Sequence, residues 1–156
     1  LRPDDLKLVA LGKKVYDANC ASCHGRQFEG QDNWRERDAN GLLPAPPHDE
    51  TGHTWHHPDA VLFALTKYGP SVMAGEDYQS AMPGFEDVLT DEEILASLSY
   101  VKSRWPDEIR QRHDQINLSA KQQEARPEAN RQQSPHQKPK CSVAGFTYFG
   151  SVYVGR

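Results

Sequence analysis

Apolar positions recur at helical spacing in three stretches of the chain. Leu8, Gly12, Val15 and Tyr16 fall at i, i+4, i+7 and i+8, with Asp4 or Asp5 placed to cap a first helix. Val61, Leu62, Ala64 and Leu65 run on to Tyr68; Pro58 suits the first turn of this second helix, and Gly69 with Pro70 stops it. Thr90 and Glu93 form a capping box ahead of a third helix with Ile94, Leu98, Val101 and Trp105 on one face, ended by Pro106. A shorter helix from Asp107 to about Asn117 follows. Near the C-terminus, Cys141 to Arg156 shows a weak strand-like alternation without a partner strand.

Between the first two helices lie some thirty residues dense in Gly, Pro and Asn. That is too long for an ordinary loop, so it needs something to wrap around. The run Cys20-Ala21-Ser22-Cys23-His24 says what. At about 100° per residue, Cys23 lies about 60° behind Cys20 and His24 about 40° ahead of it. The three side chains therefore leave one face of a helical turn. Two thiols so placed can form thioethers with the two vinyl groups of a haem while the adjacent imidazole reaches its iron, and CxxCH is the signature of c-type attachment.

A thioredoxin-like dithiol would need a strand ahead of Cys20, and none is predicted. A zinc site would need two further ligands, which His53, His56 and His57 could supply. Two inert cysteines beside a chance histidine are the bland reading. For the sixth position of the iron only Met73 and Met82 offer a thioether. Met82 precedes Pro83, which biases it out of the helical region into a loop, and it follows His24 by 58 residues. Met73 is expected in the Gly-rich Ser71–Gly75 loop and is the weaker choice. His53, His56 or His57 would give bis-histidine ligation.

Composition supports a non-protein core. Leu, Ile, Val and Phe total 29 of 156 residues, a fraction at the edge of the disordered class, although the net charge of −4 does not belong there. A haem supplies apolar surface that such a domain lacks. The charge is uneven: residues 1–120 carry 12 basic and 20 acidic side chains, residues 121–156 carry 6 and 2. The polar stretch Ser119 to Lys140 reads as a linker, so the expected division is a domain at 1–118 and a flexible extension at 119–156 holding Cys141. The balance does not suit a nucleic-acid binder. No stretch is long and apolar enough for a membrane-spanning helix. No signal peptide is visible, and a start at Leu1 rather than Met fits a processed N-terminus.

Residues 1–118 resemble a small monohaem class I cytochrome c of the bacterial type. The resemblance rests on Gly12-xxx-Tyr16, Cys20-xx-Cys23-His24-Gly25, Met82-Pro83-Gly84-Phe85 and a C-terminal helix with Leu98, Tyr100 and Val101, in that order. It implies an all-α fold, three to four helices around one haem c, with the first and last helices crossing at Gly12 near Leu98 to Val101. It implies His24 and Met82 as axial ligands, with a proline carbonyl holding the histidine's other N–H; Pro44 is the expected acceptor. Trp55, or a histidine beside it, is expected to donate to a haem propionate, with Trp34, Arg35 and Arg37 as weaker candidates. The activity implied is one-electron transfer between redox partner proteins, without enzyme chemistry. A peroxidase-like enzyme, or a gas or redox sensor, would instead need an open or displaceable sixth ligand. Attachment of this kind takes place outside the inner membrane of bacteria, so periplasmic residence is expected, free or docked to a membrane complex.

Overall fold

The computed structural model describes residues 1–75 and 78–125. Six helices stand in order: α1 (Leu6–Asn19), α2 (Ala21–His24), α3 (Asp59–Tyr68), α4 (Pro70–Ala74), α5 (Asp91–Ser103) and α6 (Asp107–Glu124), with a 3-10 turn at Thr54–His56. Among the described residues every regular element is helical. Asp5 rather than Asp4 caps α1, its carboxylate accepting from the Leu8 N–H at 3.1 Å. At α5 both halves of the expected capping box are present: Glu93 N–H donates to the Thr90 hydroxyl at 3.2 Å and Thr90 N–H to the Glu93 carboxylate at 2.9 Å.

The fold is organised on the crossing of α1 over α5. Gly12 allows it: a Cβ there would lie 2.0 Å from the Ala96 carbonyl oxygen and 2.9 Å from Tyr100 Cβ. The crossing point is thus Ala96 and Tyr100, the second of them within the expected Leu98 to Val101 stretch. Beside it the rings of Tyr16, Phe28 and Tyr100 pack edge-on or tilted, with centroids 4.8 to 5.7 Å apart. Ala21, Val101 and Trp105 complete this cluster. Leu62, Ile94 and Leu98 form a second one that seats α3 on α5. Mixed edge-on aromatic contacts add directional packing to burial, which matters in a domain with few aliphatic side chains.

Two expectations are corrected here. Met73 is not in a loop: Pro70 opens α4 at a position where its missing N–H costs nothing, and Met73 lies inside that turn. The last helix does not stop near Asn117 but runs to Glu124, through residues 119–124 that the composition assigns to a linker. Its middle is anchored. Lys102 pairs with Asp114, the buried His113 donates Nε2–H to the His57 carbonyl at 2.9 Å, and the Asn117 side chain accepts from Asp59 N–H at 2.8 Å. Once nucleated there, Ala120, Lys121, Gln122, Gln123 and Glu124 propagate the helix on propensity alone. The remainder of the expected extension, with Cys141 and the strand-like alternation, lies outside the described residues.

His113 also sets a pH dependence. Burial holds its imidazole below the ordinary histidine value, a nearby Lys102 acting in the same direction. The unfolded chain therefore binds a proton that the folded one refuses. This contribution is complete above the unfolded value of about 6.5 and is lost as pH falls below it, with a limiting slope of about 1.4 kcal/mol per pH unit. Urea unfolding of the wild type and of His113→Gln at pH 7.5 and pH 5 should show a smaller loss in the variant. An equal loss in both contradicts the assignment.

Candidate functional site

α1 ends at Cys20, whose N–H still reaches the Tyr16 carbonyl at 2.8 Å. The chain then turns once more: Cys23 and His24 both donate their N–H to the Cys20 carbonyl, at 3.2 and 2.9 Å. Gly25 closes this turn on Ala21, and the Tyr16 hydroxyl donates to the Gly25 carbonyl at 3.0 Å. The aromatic core thus grips the turn that carries both thiols and the imidazole. Neither cysteine is in a disulfide. Burial, with the Cys23 thiol beside it, pushes the half-buried Cys20 up to about 11; Cys23 is exposed.

His24 is buried, and its Nδ1–H donates to a proline carbonyl at 2.9 Å. That proline is Pro46, not the expected Pro44. The reason lies in the register of the long loop. Gln31 N–H bonds the Ala45 carbonyl and His48 N–H the Phe28 carbonyl, both at 2.9 Å, so these two bonds bracket Pro46 and present its oxygen to the ring. A carbonyl can only accept, so the proton sits on Nδ1 and the lone pair on Nε2. Burial lowers the affinity of this imidazole for a second proton, opposed by the Pro46 bond. His24 is a neutral imidazole with one nitrogen committed and one to offer.

Met82 is half-buried in a segment laid across the end of α3. Its N–H donates to Ser80 Oγ at 3.1 Å, and Phe85 N–H donates to the Thr66 and Lys67 carbonyls at 3.1 and 2.9 Å. Contact is close enough that a Cβ on Gly84 would stand 2.7 Å from the Tyr68 carbonyl carbon. The orphan carbonyls at the helix end are satisfied by the very segment that carries the thioether.

Trp55 does not offer its N–H as expected. Nε1 donates to the Glu50 carbonyl at 3.1 Å and the indole stacks on His56 at 3.7 Å, so its donor is consumed within its own loop. Nor do the neighbouring histidines form a metal site: His53 lies 5.3 Å from His56 and 4.7 Å from His57 between ring centroids. Among the described residues no three His, Cys, Asp or Glu side chains converge on one point. The Arg35 guanidinium covers Trp34 at 4.2 Å, and Arg37 donates to the Gly41 carbonyl at 2.6 Å. These residues hold a surface turn.

Three contributors were not visible in the sequence: Pro46, His48 and the Trp105 indole, whose Nε1 donates to the His48 carbonyl at 2.7 Å. Trp105 reads as the last apolar position of a helix face. His48 carries no local signal at all.

Residues 9–105 match the family model described as Cytochrome c. Over 23 residues the chain is 65% identical to cytochrome c-554(547) of Halothiobacillus neapolitanus, a stretch covering 15% of this chain and 25% of that protein. The match thus spans about a quarter of that relative's length. No solved structure matches the chain.

Proposed function

Since the chain belongs to the cytochrome c family, which carries covalently attached haem c and transfers electrons, we propose that it is a one-electron carrier with His24 and Met82 as axial ligands. The donor set fits the group: two unpaired thiols and a neutral imidazole leave one turn, and the imidazole retains Nε2. When bound, the haem supplies a one-electron Fe(III)/Fe(II) couple. Cys20 and Cys23 would hold it by thioethers, so it cannot dissociate between encounters. Pro46 keeps His24 in the ligating tautomer and makes it the more basic ligand.

The observation that carries the reading is the His24–Pro46 hydrogen bond, which leaves Nε2 as the donor in a CxxCH turn. The anchored Met82 segment supports a second protein ligand. A neutral, soft thioether favours Fe(II) and raises the potential, which suits transfer rather than oxygen activation. Periplasmic residence and docking to redox partner proteins, free or in a membrane complex, follow from the same reading. In the described residues no helix is long and apolar enough to cross a membrane.

Carbon monoxide tests it. The reduced holoprotein should keep its spectrum under the gas. Rapid binding would favour a peroxidase-like enzyme or a sensor with a displaceable ligand. Met82→Ala should open the iron to carbon monoxide and remove the far-red sulfur-to-iron band of the oxidised protein. It should also lower the potential by on the order of 100 mV, a fraction of the roughly 0.8 V that axial ligands span. Met73→Ala, inside α4, should change none of these. The reverse pattern would exchange the two methionines.

A further inference from the structure

One close contact of the site is with a residue that no ligand pattern would select. The His48 ring stacks on His24 with centroids 3.8 Å apart and planes 20° from parallel. His48 Nδ1 is sealed from solvent and has no hydrogen-bond partner. The contact with His24 is made by the face of the ring.

His48 is itself held at both backbone atoms. Its N–H donates to the Phe28 carbonyl at 2.9 Å and its carbonyl accepts from Trp105 Nε1 at 2.7 Å. Phe28 and Trp105 belong to the aromatic cluster against α1 and α5. The preceding Pro46-Pro47 pair narrows the backbone further, each proline fixing its own φ.

The hydrogen bond to Pro46 selects the tautomer of His24 but restrains its ring plane weakly, because a carbonyl accepts over a broad range of directions. A flat ring at van der Waals distance removes the remaining pivot. We propose that His48 is a positioning residue that sets the plane of the His24 imidazole about its bond to iron, coupling it to the α1–α5 core. The inference rests on His24 being the axial ligand.

The plane of an axial imidazole decides which iron dπ orbital it overlaps, and so how unpaired spin is distributed over the macrocycle in the oxidised state. Proton NMR of the oxidised holoprotein reads this in the paramagnetically shifted haem-methyl resonances. His48→Leu should change the spread or order of those resonances, while His48→Phe, which keeps a flat ring in place, should keep the wild-type order. An unchanged pattern in the Leu variant, or an equal change in both, overturns the proposal. If the Leu variant fails to hold haem, the Phe variant decides: the wild-type order supports the proposal, and a changed order overturns it. Absence of shifted His24 ring protons in the wild type would instead overturn the ligation reading itself.

Discussion

Replacing Cys20 and Cys23 together with alanine should abolish covalent attachment, leaving no haem-stained band for the chain after denaturing electrophoresis. The two thiols leave the same turn as His24, and among the described residues they are the free cysteines. Loss of both therefore removes every thioether this turn can form. The consequence extends to the fold. With 29 aliphatic or Phe side chains among Leu, Ile, Val and Phe in 156 residues, the chain relies on a bound group for part of its core. A haem held by coordination alone dissociates, and its stabilisation then follows its free concentration. Circular dichroism should show the double variant melting well below the wild type, while each single variant retains one thioether and a weaker stained band. Haem migrating with the denatured double variant would refute the assignment of the attachment site.

Gly12→Val should be strongly destabilising although it lies away from the attachment turn. In an isolated helix, replacing glycine by a residue with a side chain is ordinarily favourable. Here the new Cβ would stand 2.0 Å from the Ala96 carbonyl oxygen, a backbone atom inside α5 that cannot rotate away. The helices must part, loosening Tyr16 against Tyr100 and with it the Tyr16 hydroxyl that holds Gly25. Overpacking of this kind costs about 3 kcal/mol or more, against a total stability of about 5–15 kcal/mol. A fall in Tm on the order of 10 °C is expected. Because the crossing also supports the turn after His24, the variant should lose haem-attached yield along with stability. A variant as stable as the wild type would mean that α1 and α5 do not meet at Gly12.

What could be read without coordinates was local. The starts of α1 and α5 follow from capping side chains three residues from the groups they satisfy, Asp5 at α1 and Thr90 with Glu93 at α5. The Cys20–Cys23–His24 arrangement is likewise complete within one turn, so spacing alone identifies its chemistry. The crossing of α1 and α5 at Gly12 was implied by the family resemblance rather than by any local pattern, and the 2.0 Å approach of a Cβ there to the Ala96 carbonyl oxygen agrees with it. The extent of α6 was not legible, since its middle, at Asp114 and Asn117, is fastened by Lys102 and Asp59 from outside the helix before propensity carries it to Glu124.

The tertiary structure decided which of Pro44, Pro46 and Pro47 faces His24, that Trp55 consumes its own donor, and that His48 lies on the proximal ring. Each of these depends on the register of a long loop whose one regular piece is the 3-10 turn at Thr54–His56. That register is set by bonds such as Gln31 to Ala45, 14 positions apart, and Trp105 to His48, 57 positions apart. A shift of two residues would present a different carbonyl to the same imidazole with hardly any change in composition or local propensity. The sequence by itself determined which atoms can ligate, because that is a property of residue types within one turn. The partners that orient those atoms were decided only when distant segments packed, because their free-energy differences arise from contacts that exist in the folded chain alone.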